Sequence, residues 1–176
     1  MRMQTAVLAM AVTITIAGCS RRSQDPAPAV QSARAELSDA SGRRVGDATL
    51  QQLANGVLMV ADLTALTSGT HAIHLHETGQ CVPPFTSAGG HFNPTGASHG
   101  FRNPAGPHAG DLPNIHVPTS GALRVEIFAS GLRLSGEGGL LDEDGAAVVI
   151  HQFADDYSSD PAGAAGDRIA CGVIRR

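Results

Sequence analysis

From residue 33 onward, short apolar stretches alternate with turn residues. Ala33–Leu37 is followed by Asp39-Ala40-Ser41-Gly42, and Val57–Leu63 by Thr67-Ser68-Gly69. His71–His76, Ala122–Phe128, Ala146–His151 and Ile169–Ile174 are of similar length and bounded in the same way, so each reads as a strand. Asn55-Gly56 and Asp144-Gly145 supply the residue types that two-residue hairpin turns require. No stretch sustains an apolar period of about 3.6 residues, so no long helix is expected. The pattern predicts an all-β sandwich or small barrel.

Two segments depart from that pattern. The first is the N-terminus, where Arg2 precedes an apolar run from Thr5 to Ala17. This run is shorter than the roughly 20 residues of a membrane span and suits a secretory signal. It ends Ile16-Ala17-Gly18-Cys19, which resembles a bacterial lipoprotein signal whose cysteine is lipidated and becomes the new N-terminus. The chain therefore reads as a signal over 1–18, a lipidated Cys19 with a polar Pro/Ala/Ser-rich tether over 19–33, and one folded domain over 34–176. The second departure is 77–120, which is rich in Gly and Pro and poor in apolar runs. A stretch this long without regular structure needs something other than a hydrophobic core to order it, and a metal is the obvious agent.

Composition narrows the chemistry. The 176 residues include 21 Gly, 10 Pro, no Trp and a single Tyr, Tyr157. All 12 basic residues are Arg; the lack of Lys excludes P-loop phosphate binding, Schiff-base chemistry and kinase-type catalysis. A net charge of −4 argues against nucleic-acid binding. Of the 3 Cys, lipidation of Cys19 leaves Cys81 and Cys171. In an oxidising compartment these two either pair or remain buried thiols, and pairing is the expectation.

Histidine placement carries the functional reading. Six of the eight His lie between His71 and His108. His74 and His76 are two apart on a strand and face the same way, which makes a chelating pair; His71 faces the other way and is not expected to join them. His91, His99, His108 and Asp111 together form a complete tetrahedral set for zinc, with Gly89-Gly90 and Gly110 allowing a tight backbone around them. His151 ends an apolar strand four residues before Asp155; its position suits either a solvated loop histidine or a ligand returning to the His74/His76 pair. His116 has no such company and reads as a structural or surface residue.

Five blocks, GTHAIHLHETGQC (69–81), GGHFNP (89–94), HGFRNPAGPHAGDLPNI (99–115), HQFADD (151–156) and GDRIACGVI (166–174), resemble the copper/zinc superoxide dismutases, especially the bacterial periplasmic kind. The resemblance implies an eight-stranded, immunoglobulin-like Greek-key β-barrel or sandwich with long metal-binding loops, and one copper and one zinc ion per subunit. It matches His74, His76, His91 and His151 to the copper ligands, and His91, His99, His108 and Asp111 to the zinc ligands, so that His91 bridges the two. Asp155 matches the carboxylate linking a copper ligand to a zinc ligand, His74 and His99. Arg168 matches the active-site arginine and Cys81–Cys171 the intrasubunit bridge. The implied activity is conversion of two superoxide anions and two protons to dioxygen and hydrogen peroxide by alternating Cu(II)/Cu(I), with His91 also a proton donor and zinc structural. A non-catalytic exported copper/zinc-binding or copper-donor protein is the alternative. The implied location is the bacterial periplasm, lipid-anchored through Cys19; monomer and homodimer are both open. The chain has Ala72-Ile73 where the family often has Gly-Phe, and the Asp155–Arg168 segment is short. With no Lys, guidance of the anion falls to Arg168, with Arg102 as a second cation.

Overall fold

The computed structural model describes residues 31–176; the signal, Cys19 and most of the tether lie outside the described residues. Among the described residues there are nine strands: β1 (Ser32–Asp39), β2 (Arg44–Leu53), β3 (Gly56–Leu63), β4 (Gly69–His71), β5 (Ile73–His76), β6 (Ile115–Val117), β7 (Leu123–Ser130), β8 (Ala147–His151) and β9 (Arg168–Val173). Seven form one curled antiparallel sheet in the order β5-β8-β9-β1-β2-β3-β7, while β4 pairs with β6. The expected His71–His76 strand is interrupted at Ala72: Ile73–His76 is β5 and His71 ends β4, which gives nine strands where eight were expected.

Four further differences are local. β2 carries little strand signal because its buried positions include only two bulky residues, Val45 and Leu50, amid Gly, Ala and polar side chains. β6 is only three residues long. Asn55-Gly56 does mark a hairpin, with Leu53 paired to Gly56, but Asp144-Gly145 does not. Gly145 donates its N–H to Asp142 Oδ1 in a turn leading into β8, whose partners are β5 and β9. β1 also begins at Ser32 and pairs Ser32 and Ala33 with β2, taking in two residues assigned to the tether.

Alternation along the strands encloses the core. Ala33, Ala35 and Leu37 of β1, Leu50 of β2, Met59 and Leu63 of β3, Ile127 of β7 and Val148 and Ile150 of β8 pack together inside the curled sheet. β8 is buried on both faces: Ala147 and Val149 point outward and meet Phe85, Ala88 and Cys171 in a second, smaller cluster. This outer cluster seats the loop after β5 on the barrel wall. The disulfide between Cys81 and Cys171, 90 residues apart, fastens the same loop to β9.

Candidate metal centre

The site is built on the outer face and free edge of β5. Ile73 and Leu75 point into the core, so His74 and His76 point outward, and both are fully buried beneath the loops. Antiparallel pairing sets His74 opposite Val149 and His76 opposite Ala147, which puts His151, two residues beyond Val149, on the same face. Arg168 of β9 pairs with His151.

Loop segments lace onto the remaining edge of β5. Leu75 donates its N–H to Gly110 O (2.9 Å) and accepts from the Phe92 N–H (2.8 Å), while Gly110 donates to Phe92 O (2.8 Å). This brings His76 beside His91 and His74 beside Asp111. Gly110 is required there, because a Cβ would lie 2.3 Å from Leu75 O.

Two ligand sets result: His74, His76, His91 and His151, and His91, His99, His108 and Asp111, each with ligand atoms within 4.8 Å of one another. All the sequence-assigned ligands are thus gathered, and His91 belongs to both sets. His71 is buried but turned away, with Nδ1 2.8 Å from His151 O and Nε2 3.0 Å from Thr67 O. His116 is exposed.

Proton counting tests whether cations fit. Asp155 Oδ2 lies 2.8 Å from His74 Nε2 and its Oδ1 lies 3.0 Å from His99 Nε2. A carboxylate only accepts, so both imidazoles carry their proton on Nε2. In neutral rings the Nδ1 atoms are then bare lone pairs. His74 Nδ1 is buried without a partner, as is His91 Nε2. The Nδ1 atoms of His91, His99 and His108 converge on Asp111 Oδ1 at 2.8, 3.1 and 3.2 Å. A neutral His99 that gives its proton to Asp155 has only a lone pair to turn toward Asp111. A tetrahedral ion with bonds of about 2.0–2.1 Å has edges of about 3.3 Å and fits between these four atoms with slight expansion. In the other set, His76 Nδ1 sits 3.1 Å from Gly89 O and His151 Nδ1 3.4 Å from Gly166 O. Protons on those nitrogens leave the two Nε2 atoms facing each other as lone pairs at 3.4 Å. Both sets therefore fit a cation.

Electrostatics keep the donors ready. Burial pushes His76 down to about 2, His151 to about 3 and His91 to about 4, with neighbouring imidazoles pushing the same way, so all three are neutral at pH 7. Burial alone would raise the Asp111 carboxyl, but His91, the Gly100 N–H and His99 more than offset it and hold it well below the usual carboxylate range. The same balance, with His74 and His99 as partners, lowers Asp155 to about 2. Neutral imidazoles beside an ionised carboxylate are the protonation states that metal binding requires.

Arg168 stands beside the four-imidazole set. Nη1 donates to Phe85 O and Nη2 to Gly89 O, both at 2.7 Å. Its guanidinium is thereby locked to the disulfide-fastened loop, and it lines a cavity of about 350 Å³ with Pro84, Thr86, Gly166 and Asp167. A larger opening of about 590 Å³ beside the disulfide contains none of the ligands. Arg102, considered as a second guiding cation, lies over Tyr157, 6.0 Å from its ring. Sequence reasoning missed Asn114. Its Nδ2 donates to Asp155 O (2.9 Å) and its Oδ1 accepts the Asp155 N–H (2.8 Å), and no spacing rule pairs residues 41 apart.

Comparison with known proteins agrees with this geometry. A family model described as copper/zinc superoxide dismutase matches residues 44–174. The chain is 50% identical over 147 residues to superoxide dismutase [Cu-Zn] 2 of Aquifex aeolicus, covering 81% of this chain and 86% of that protein. It is 42% identical over 149 residues to superoxide dismutase [Cu-Zn] of Caulobacter vibrioides, covering 82% and 86%. A crystal structure of a SOD-like protein from Bacillus subtilis superposes with a TM-score of 0.76 at 39% identity, covering 80% of this chain and 96% of that one.

Proposed function

The chain belongs to the copper/zinc superoxide dismutase family, and on that premise we propose how its residues divide the work. The enzyme converts two superoxide anions and two protons to dioxygen and hydrogen peroxide, with copper and zinc as its cofactors. His74, His76, His91 and His151 hold copper; His91, His99, His108 and Asp111 hold zinc. The observation that carries this assignment is the shared histidine: Nδ1 of His91 faces Asp111 while its Nε2 is buried and unpartnered among the other imidazoles.

Copper, when bound, supplies a one-electron couple that lets two mutually repelling anions react one at a time. The protein residues supply position, charge and protons. Arg168 attracts and docks superoxide: its planar fork is fixed by the Phe85 and Gly89 carbonyls, and its charge persists at any working pH. With a net charge of −4 on the chain, local focusing by this cation is what draws an anion in. Nε2 of His91 is the atom at which a proton is held for the departing peroxide. Asp155 fixes the tautomers of His74 and His99. The three-imidazole-plus-carboxylate set orders the long loop and orients His91.

The location is the bacterial cell envelope. The apolar run Thr5–Ala17 ending in Gly18-Cys19 supports export through a signal at 1–18 and lipid attachment at Cys19, with 19–33 as the tether. Fractionation tests this: Cys19→Ala moves the protein from the membrane to the soluble fraction, and an unchanged distribution contradicts the lipid assignment. For the ligand assignment, the test is selective metal loss. His108→Ala loses zinc and keeps copper, whereas His151→Ala does the reverse. Loss of the same metal from both variants overturns the assignment.

A further inference from the structure

We infer that Tyr157 is a positioning residue that couples formation of the zinc set to docking of the segment carrying Asp155, through a hydrogen bond from the Asn114 N–H to its phenol oxygen. The inference rests on the ligand assignment above. Tyr157 has a left-handed backbone (φ 61°), which a bulky residue keeps only when its surroundings impose it. The imposing contacts all lead to the metal centre. The phenol oxygen accepts the Asn114 N–H at 2.8 Å, three residues beyond the ligand Asp111. The N–H of Tyr157 donates to Asp155 Oδ1 at 2.6 Å, the oxygen that also meets His99 Nε2. Its carbonyl accepts the Arg102 N–H at 3.0 Å, within the segment that begins at the ligand His99. Its ring lies against Phe101, with centroids 5.3 Å apart.

Tyr157 belongs to neither apolar cluster of the barrel, so core packing does not account for it. Instead it spans two loops that ligand binding must bring together. One bears His99, His108 and Asp111; the other bears Asp155. With Asn114 bonded to both main-chain groups of Asp155, the phenol closes a frame around the carboxylate that links the two ligand sets. When zinc draws His99 and Asp111 together, the frame closes. When the frame is open, Asp155 is less well held against His99 and zinc leaves sooner.

The chain has one Tyr and no Trp, so tyrosine emission reports on this residue alone. The experiment uses zinc-loaded, copper-free protein and follows zinc transfer to a chromogenic chelator. Tyr157→Phe keeps the ring and strands the Asn114 N–H, and it is expected to release zinc about tenfold faster than wild type. The zinc-free variant keeps the wild-type melting temperature, and adding zinc to the metal-free wild type shields tyrosine emission from acrylamide. The inference is overturned if Tyr157→Phe matches wild type while Tyr157→Ala alone releases zinc quickly, because ring packing then does the work. It is also overturned if the zinc-free variant is destabilised as much as the zinc-loaded one, or if zinc leaves acrylamide quenching unchanged. A wild-type protein that binds no zinc overturns the ligand assignment and this inference with it.

Discussion

Replacing Asp155 with Asn tests the tautomer argument, because the structure predicts an asymmetric result. The Asp155 side chain is 1% exposed and its oxygens meet three groups: His74 Nε2 at Oδ2, and His99 Nε2 and the Tyr157 N–H at Oδ1. An amide has one oxygen. Placed at the Oδ1 position, it keeps two of the three bonds; placed at Oδ2, it keeps one. The first orientation wins, and it turns an NH2 toward His74 Nε2. Two donors cannot face each other at 2.8 Å, so His74 moves its proton to Nδ1 and Nε2 becomes the acceptor. A protonated Nδ1 cannot bind copper. His99 keeps its proton on Nε2 and its free Nδ1 for zinc. Loss of a partner that orients a metal-ligating histidine lowers metal affinity about 10–100-fold, or about 1.4–2.7 kcal/mol. Asp155→Asn should therefore weaken copper by that factor and zinc by only a few-fold. The assay is chelator competition for each metal separately, with the tautomer of His74 read from ring nitrogen NMR shifts in the zinc-loaded protein. Zinc falling more than copper, or a His74 proton still on Nε2, would show that Asp155 does not set the His74 tautomer.

Three further perturbations follow from the same geometry. At Gly163 (φ +64°) a Cβ would lie 1.8 Å from Asp155 Oδ1, so Gly163→Ala should displace that carboxylate and lower occupancy of both metals in elemental analysis; normal occupancy would contradict the packing around Asp155. Arg168→Ala should retain both metals yet lose activity about tenfold or more, along with much of its salt dependence, as stopped-flow kinetics at several ionic strengths would reveal; activity equal to wild type at every salt concentration would remove Arg168 from the mechanism. In the metal-free protein, the folded pKa values of His76, His91 and His151 lie below the ordinary 6.5, so the unfolded chain binds more protons between pH 6.5 and about 4. Unfolding free energies from urea titrations should therefore fall as pH drops through that window, by up to about 1.4 kcal/mol per pH unit for each imidazole; a flat profile would contradict their burial as neutral groups.

Much of the site was legible in the sequence because its ligands sit at short, rigid spacings. The interval between His74 and His76 sets a shared strand face. The crowding of His91, His99, His108 and Asp111 in a Gly/Pro-rich loop suits metal ligation, since a loop so poor in apolar side chains has no core for imidazoles to pack into. The fold was legible where a short, strongly apolar run is bounded by turn residues, as in Val57–Leu63. It was not legible in β2, where Gly46, Ala48 and Thr49 leave little contrast between faces. The supporting frame was hidden for a different reason. Asn114 and Tyr157 reach Asp155 through main-chain groups, and such bonds leave no residue-type signature at a fixed spacing.

The central claim is that two cations held by one shared histidine make this chain a redox enzyme. The most direct test loads the purified protein with copper and zinc, dialyses it, and measures both metals per chain and superoxide dismutation on the same sample, with the metal-free protein as control. One copper and one zinc per chain, with fast activity that requires copper, is the predicted result. Zinc retained without copper or activity, or both metals retained without activity, would contradict it.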